Sequence, residues 1–343
     1  MDIRGLGKKL KLSITTVSRA LGGYSDVSEK TRERVIKFAK KYNYSPNPHA
    51  SRLASGKSDT VGFVLPLYGL NSNTLNQTAF FQFVAGMSDK IHAENIQFVM
   101  MFANSEEEEK SAYDKIINEQ KIDNIILHNL KKNDPRIEML NKKKVNYVTW
   151  GRTKNSRDFS WVDLDNEKSI ELIVKYLISK NHKEIAYVNI SEKYNFANQR
   201  KSSFLKTLKK NNIKFNKNYY ASVRHEEPEI SAEIIKTMLK KYPSITSLIC
   251  STEYSALGAI KACNFLNLEI GKDISLITFD GPVIQNLSSP ALTAVSHPVK
   301  ELGNEAINIL LENRKKYSNK KKFLARPKII ERGSVHEITR QKL

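Results

Sequence analysis

Hydrogen-bonding side chains crowd a predicted helix of eight residues near the amino terminus. Ser13 can cap this helix, which runs over residues 14–21 and ends at two glycines, because its hydroxyl can accept from the free amides of the first turn. Val17 and Leu21 lie four residues apart and share the face that turns inward. The other faces carry Ile14, Thr15, Thr16, Ser18 and Arg19. An arginine can donate two hydrogen bonds to one guanine edge, and the hydroxyls can bond bases or phosphates.

Two further helices are predicted on either side of this one. Residues 3–11 carry apolar side chains at helical spacing, and residues 29–42 follow Ser28, a second candidate cap. Three short helices with a tight link between the first two make a helix-turn-helix unit, whose second helix enters the major groove of DNA. The same pattern also fits a small helical subdomain that binds no ligand.

A proline-bounded segment at residues 46–58 follows the third helix. Asn47 can cap a helix there, and Pro48 stands at the first helical position, where its missing N–H costs nothing. Residues 48–55 make about two turns, which are marginal in isolation and need a partner, either a second subunit or DNA. Leu53 is a candidate apolar wedge for the minor groove, or it packs on the core.

Positive charge is concentrated at the amino terminus. The chain of 343 residues has 56 Lys and Arg against 36 Asp and Glu, a net charge of +20. The first 58 residues hold 13 basic and 4 acidic side chains, so a sixth of the chain carries +9 of that charge. A compact basic segment is typical of a protein that binds a polyanion.

The remaining residues predict two series of alternating strands and helices. The first series has strands at 60–67, 95–103, 124–129 and 145–150 and helices around 78–93, 105–119 and 135–143. The second has strands at 185–190, 219–223, 247–252 and 275–280 and helices around 167–180, 198–211, 229–241 and 253–267. Two such series imply two parallel-sheet subdomains. The cleft between them, outside the carboxyl ends of the strands, is the default ligand site.

Several classes of protein are excluded by what the sequence lacks. Cys250 and Cys263 are the only cysteines, which excludes a disulfide scaffold and a four-cysteine metal site. No apolar run is long enough for a transmembrane helix, and the first residues do not read as a secretory signal. The phosphate-loop, nucleophile-elbow and zinc-helix motifs are absent, and the seven histidines show no metal-ligand spacing. We therefore expect a cytoplasmic protein without cofactor or metal that is not an enzyme.

Three ordered motifs in the first 48 residues carry a family resemblance. They read TVSRAL at 16–21, VSEKTRERV at 27–35 and YSPNP at 44–48. At this spacing they resemble the headpiece of the lactose-repressor (LacI/GalR) family of bacterial regulators. Lys11 departs from the pattern, since the family usually has a turn glycine there, and Gly5 and Gly7 stand where Asp and Ala are common. A non-glycine residue in a left-handed turn is costly, so the first helix is expected to be looser.

Later segments extend the resemblance over nearly the whole chain. They are DISLITFD at 273–280, PALT at 290–293, LGA at 257–259 and NHKEI at 181–185. The family core is similar to periplasmic sugar-binding proteins, so the resemblance implies an all-α helix-turn-helix headpiece plus an α/β core of two doubly wound parallel-sheet subdomains. The implied limits are 1–45 for the headpiece, 46–58 for the hinge helix and linker, 59–160 with 293–324 for the N-subdomain, and 161–292 with 325–343 for the C-subdomain. The helix near 299–312 would then return to the first subdomain.

The resemblance also implies effector-binding residues in the cleft. Asp280 and Arg200 match family positions at the effector, where a carboxylate and a guanidinium can clamp a polyhydroxyl ring. The alternative is a structural pair between these two side chains. Phe80 and Phe81 match an aromatic pair that either stacks on a ring or belongs to the core, and Trp150 is a similar candidate. Thr252 stands where the family often has Asn, so the effector can differ from a common hexose.

These observations predict a sequence-specific DNA-binding regulator, a repressor, that works as a homodimer on a pseudo-palindromic operator. A small-molecule effector, expected to be a sugar, would control its operator affinity from the cleft. A nucleobase or a partner protein remains possible as the effector, and so does either direction of control. The alternative function is a stand-alone solute-binding protein without DNA function. The residues expected to bind DNA are Ser13, Ile14, Thr15, Thr16, Ser18, Arg19, Asn47, His49, Ala50 and Leu53.

Overall fold

A computed structural model describes residues 1–44, 60–68, 78–223, 227–281, 288–315 and 320–339. The chain divides into two compact units, residues 1–59 and residues 60–343. Within the described ranges no helix is long and apolar enough to cross a membrane. Each unit has its own apolar core.

In the described part of the first unit, residues 1–44, the helices are α1 (Ile3–Leu10), α2 (Ile14–Leu21) and α3 (Glu29–Lys41). Ser13 caps α2, since its hydroxyl accepts from the Thr16 amide at 3.0 Å, and Ser28 caps α3 in the same way. Lys11 ends α1 at a φ of 54°, in the left-handed region, where the sequence lacks the usual glycine. The helices enclose a core of small and medium apolar residues, namely Leu6, Leu10, Val17, Ala20, Val27, Val35 and Ala39.

The second unit contains two six-stranded sheets with helices on their faces. In the first half the strands are β1 (Thr60–Pro66), β2 (Gln97–Ala103), β3 (Asn124–His128), β4 (Asn146–Trp150) and β5 (Ser160–Leu164). The helices there are α4 (Thr78–Ala93), α5 (Glu106–Asp114), continued by a π turn (Lys115–Glu119), and α6 (Pro135–Lys142). In the second half the strands are β6 (Ile185–Ile190), β7 (Tyr220–Val223), β8 (Ser247–Cys250), β9 (Ser275–Phe279) and β10 (Thr293–Val295).

The helices of the second half are α7 (Asn166–Ser179), α8 (Asn195–Lys210), α9 (Pro228–Lys241) and α10 (Glu253–Phe265), with a 3-10 turn at Lys217–Tyr219. The chain then forms α11 (Val299–Lys315), β11 (Lys322–Ala325) and β12 (Ile329–Ile330). The first sheet has the order β11-β5-β4-β3-β1-β2 and is parallel throughout. The second has the order β12-β10-β9-β8-β6-β7, and only β12 runs antiparallel to its neighbour. Most strands are buried on both faces, as expected for sheets covered by helices.

The sheets divide the core at different residues from those expected at 160, 292 and 324. The strand Ser160–Leu164 pairs with β4 in the first sheet, and Thr293–Val295 pairs with β9 in the second. The chain therefore crosses between the sheets after residues 164, 295 and 325. Neither strand was among those predicted, because both are short and their partners are set by non-local pairing.

Helix α11 returns to the first sheet and packs against α4 at glycine contacts. A methyl group at Gly86 would overlap the Lys300 carbonyl, and one at Gly303 would overlap the Phe83 carbonyl. The two backbones are therefore in direct contact.

Candidate functional site

The outer face of α2 presents the side chains that the sequence singled out. Ser13, Ile14 and Thr15 are exposed, and Thr16 and Ser18 are partly so, while Val17 and Ala20 on the same helix are buried. The hydroxyl of Ser13 is also engaged as the helix cap and lies 2.8 Å from the Thr16 hydroxyl. The exposed side chains are thus a mixed set of hydroxyls and one apolar group.

Arg19 is held by two neighbours on the loop after α2. Its Nε lies 2.7 Å from an Asp26 carboxylate oxygen, and its guanidinium stacks over the Tyr24 ring at 4.6 Å. The arginine remains 43% exposed, so it is accessible although it is paired. Helical spacing does not reveal this ion pair, because Asp26 lies outside α2.

Four residues expected to bind DNA lie outside the described residues. They are Asn47, His49, Ala50 and Leu53, in the segment expected to form the hinge helix.

A cavity of about 270 Å³ lies within the second unit, between the carboxyl ends of the two sheets. Residues at the ends of β1, β3 and β4 line it on one side, and residues at the ends of β6, β8 and β9 line it on the other. Five of the six residues predicted to bind an effector line it: Phe80, Trp150, Arg200, Thr252 and Asp280. Phe81 does not line it and is 63% exposed.

Aromatic rings cover much of the N-subdomain side. Trp150 stacks face to face on Phe83, with ring centroids 4.3 Å apart and planes tilted by 6°. Phe80 packs on Phe63 at 4.9 Å and is itself buried. Both rings therefore belong to the apolar core and also line the cavity, so stacking on a ligand ring stays a prediction.

Arg200 is a buried guanidinium on α8. Its Nε donates to the Asn166 side-chain oxygen at 2.8 Å, and its Nη1 donates to the Ser251 carbonyl at 3.0 Å. The guanidinium stacks on the Phe279 ring at 3.6 Å. These contacts fix the arginine against the wall of the cavity, and it is only 5% exposed.

Asp280 binds a different arginine from the one considered in the sequence analysis. Its Oδ1 accepts from Arg332 Nη2 at 2.9 Å, and both side chains are mostly buried. Arg332 follows β12, more than fifty residues later in the sequence, so no local pattern pointed to it. Asp280 therefore has a structural ion-pair partner that the sequence did not indicate.

A second ion pair at the cavity was missed by sequence reasoning. Arg152 Nε donates to Asp163 Oδ2 at 2.7 Å, and both residues line the cavity. Burial raises the pKa of the Asp163 carboxyl, while Arg152 and Arg200 oppose this shift. The Arg152 Nη2 atom is buried and has no hydrogen-bond partner in the described part of the chain. In the sequence, Arg152 is marked as a candidate only by its position just after a predicted strand.

Two histidines in the cavity wall are neutral at physiological pH. Burial lowers the pKa of both His128 and His297 to about 3, with a smaller contribution from a nearby arginine in each case. The Nδ1 atom of His128 has no hydrogen-bond partner among the described residues, and the ring packs against Phe63. The spacing of the histidines along the sequence pointed to neither of these two residues, since it matches no metal-ligand pattern.

Thr252 and Glu253 stand at the start of α10 where the two subdomains meet. Thr252 and Ser255 form a capping box, so the Thr252 hydroxyl serves the helix terminus. The Glu253 carboxylate accepts from the Thr78 hydroxyl of the other subdomain at 3.2 Å. At a second junction, Glu106 pairs with Lys193 across the subdomains, at 2.5 Å.

Both units resemble known proteins. Residues 8–47 match the family described as bacterial regulatory proteins, lacI family, and residues 174–335 match the periplasmic binding protein-like domain. The HTH-type transcriptional regulator AglR of Rhizobium meliloti (strain 1021) is 32% identical over 304 residues, which are 86% of this chain and 83% of that protein. RafR of Escherichia coli, an HTH-type transcriptional regulator, is 29% identical over 311 residues, 90% of each chain.

Solved structures share the fold. The lac repressor dimer bound to operator and the anti-inducer ONPF has a TM-score of 0.84 at 22% identity, covering 98% of this chain and 99% of that one. The complex of the transcriptional regulator CelR with cellobiose has a TM-score of 0.74 at 20% identity, covering 97% and 99%.

A helix-turn-helix unit and a two-sheet core with an internal cavity, carried on one chain, define the class of DNA-binding transcription regulators. The chain belongs to the LacI family of these regulators. The family resemblance and the fold class expected from the sequence are confirmed.

Proposed function

We propose that the protein is a homodimeric repressor whose operator affinity is controlled by a sugar bound in the cavity. The observation that carries this proposal is the combination, in one cavity, of aromatic rings with charged groups that are paired inside the protein.

The charges of the cavity suit a neutral ligand rich in hydroxyls. Asp163 and Asp280 each face an arginine, and His128 and His297 are uncharged. Glu253 and Arg200 add one charge of each sign, so no single sign of charge dominates the wall. Hydroxyl groups can donate to the carboxylates and accept from the guanidinium groups, whereas a charged ligand would have to displace an internal partner. Trp150 offers a flat apolar surface to a sugar ring. CelR, which shares the fold, was solved with cellobiose.

A second copy of the chain is the proposed partner for the edge of the first sheet. Strand β2 is the last strand of that sheet, and its Phe102 is 54% exposed. Phe81 on the neighbouring α4 is 63% exposed. An exposed edge with large apolar side chains is unfavourable in water and favours burial against another subunit. In the dimer, two headpieces would read half-sites about 34 Å apart.

A DNA-binding role implies a cytoplasmic protein, because bacterial DNA lies in the cytoplasm. The cavity would bind the sugar as a sensor and would catalyse no reaction. Most of the affinity would come from Lys and Arg contacts to phosphates and would fall with added salt.

The test has two stages. Genomic fragments selected on the purified protein identify an operator, and fluorescence anisotropy then measures its affinity with and without cellobiose, maltose, sucrose and single nucleobases. We expect one of the sugars to change the operator affinity at least about tenfold, in either direction. Trp150→Ala should remove the response, while Phe265→Ala, an exposed aromatic residue outside the cavity, should keep it. A response to a nucleobase alone would contradict the sugar, and the absence of any selected fragment would contradict the regulator itself.

A further inference from the structure

The carboxylate of Asp280 is held from outside the cavity. Asp280 follows β9 and lines the cavity, whereas its partner Arg332 does not line it. The side chains of Asp280 and Arg332 are 14% and 19% exposed, so the pair is largely shielded from water. An interaction shielded in this way is weakened less by solvent and salt than a surface ion pair.

Arg332 is itself fixed at two further points, one on its guanidinium and one on its backbone. Its Nη1 donates to the Leu292 carbonyl at 2.6 Å. The backbone of Arg332 exchanges two hydrogen bonds with the Thr293 hydroxyl, at 3.0 and 3.1 Å. Leu292 and Thr293 stand at the start of β10, so the arginine is attached to the sheet that carries Asp280.

Ser334 secures the same segment two residues later. It is fully buried, its hydroxyl donates to the Leu276 carbonyl at 2.6 Å, and it accepts from the Thr293 amide at 2.8 Å. The Leu276 amide in turn donates to the Ser334 carbonyl at 2.9 Å. The segment 332–334 is therefore bound to β9 and β10 by both backbone and side chains, and the base of the Arg332 side chain has little freedom.

We propose that Arg332 is a positioning residue for effector recognition, which sets the orientation of the Asp280 carboxylate in the cavity. The proposal rests on the function proposed above. A carboxylate whose orientation is set by a fixed guanidinium presents its acceptor lone pairs to a ligand hydroxyl in a fixed direction, and the ligand does not have to order it on binding. The carboxyl-terminal segment would then belong to the sensor although it lies outside the cavity.

A double-mutant cycle separates positioning from a general effect on the fold. Binding of the sugar that produces the largest response among cellobiose, maltose and sucrose is measured by calorimetry for wild type, Arg332→Met, Asp280→Asn and the double variant. We expect Arg332→Met to weaken binding about tenfold or more, as for the loss of a charged hydrogen bond, and Arg332→Lys to recover part of it. In the Asp280→Asn background the same substitution should have less than about a threefold effect. Equal effects in the two backgrounds would overturn the proposal.

The double variant also guards against failure to fold. Arg332→Met alone leaves a buried carboxylate without its partner, whereas the double variant removes both charges. Arg326→Met is the matched control, because Arg326 is exposed on the same carboxyl-terminal stretch, and it should leave sugar binding unchanged.

If none of the sugars binds, a measurement on the unliganded protein still tests the positioning role of Arg332. That outcome would contradict the proposed sugar effector, but hydrogen exchange still tests the positioning role. We expect Arg332→Met to speed exchange in peptides covering residues 277–281, where the Asp280 amide donates to the Val295 carbonyl at 2.8 Å. Unchanged exchange there, or a rise confined to residues 329–338, would overturn the proposal.

Discussion

Replacing Arg200 tests the ligand cavity most directly. In Arg200→Ala the Asn166 side-chain oxygen and the Ser251 carbonyl both lose their donor. A buried acceptor left without its donor costs about 1–3 kcal/mol, so the two together cost about 2–6 kcal/mol, before the lost stacking on Phe279 is added. At about 2 °C per kcal/mol for a domain of this size, the midpoint of thermal unfolding should fall by at least about 4 °C.

The same substitution should also change the response to the sugar. Arg200→Ala should abolish the effect of the sugar on operator affinity, while the unliganded protein, once folded, still binds the operator through its headpiece. Arg200→Lys should fall between, since an ammonium group cannot reproduce the forked donors of a guanidinium. Thermal shift measures stability with and without the sugar, and anisotropy with a labelled operator measures the response.

Lys206→Ala is the matched control, because Lys206 lies on the exposed side of the same helix. It should change neither the melting temperature nor the response. A ligand-induced shift of wild-type size in Arg200→Ala would refute the role of Arg200, and a melting temperature within about 1 °C of wild type would refute the estimate of the buried hydrogen bonds.

Three further predictions concern the headpiece, the pH dependence and the helix packing. Asp26→Asn should release Arg19 from its pair, raise the affinity for non-specific duplex and steepen its decrease with salt; anisotropy at several salt concentrations measures both, and unchanged values would contradict the prediction. The pKa of His297 is lowered to about 3 in the fold, so its neutral form stabilises the protein above pH 6.5 and this contribution declines as the pH falls. Between pH 7 and pH 5 the free energy of unfolding should fall by about 2 kcal/mol on account of His297, and His297→Gln should lose that much less in urea titrations. An equal fall in wild type and variant would show that His297 can take up a proton in the folded protein. Gly86→Ala should destabilise the core by about 1–3 kcal/mol through overlap with the Lys300 carbonyl, whereas Ala85→Ser on the exposed side of α4 should be close to neutral in the same assay.

The headpiece could be read from the sequence almost residue by residue. Ser13 and Ser28 bond the first-turn amides that the cap rule assigns to them, and Gly22 directly follows the end of α2. These signals are local, since a cap and an apolar spacing depend on residues within one or two turns. The longer helices of the core were located equally well, because α4 has the predicted limits of 78 and 93.

The rest depended on contacts between distant residues. The strands at 160–164, 322–325 and 329–330 are short, and pairing across the sheet decides them. The partner of Asp280 comes from a segment beyond β12, which no spacing rule connects to it.

The pair Phe80–Phe81 shows a limit of motif transfer at the cavity. Consecutive residues on a helix point about 100° apart, so only one of the two rings could face the cavity. Phe80 does, and Phe81 faces solvent in the isolated chain. A motif with two consecutive phenylalanines therefore predicts one aromatic ring at the cavity, but it does not identify which of the two residues supplies it.

The glycine contacts between α4 and α11 prevent the two helices from sliding along each other. Because a carbonyl of each helix lies where the other would carry a methyl group, a rigid-body shift of one helix would drive backbone into backbone. The two helices therefore hold together as one body within the subdomain of the first sheet, and the chain passes from that subdomain to the other at the crossings after residues 164, 295 and 325. These links between the two subdomains are a few peptide units long, and substitutions that stiffen them should restrict rotation of one subdomain against the other.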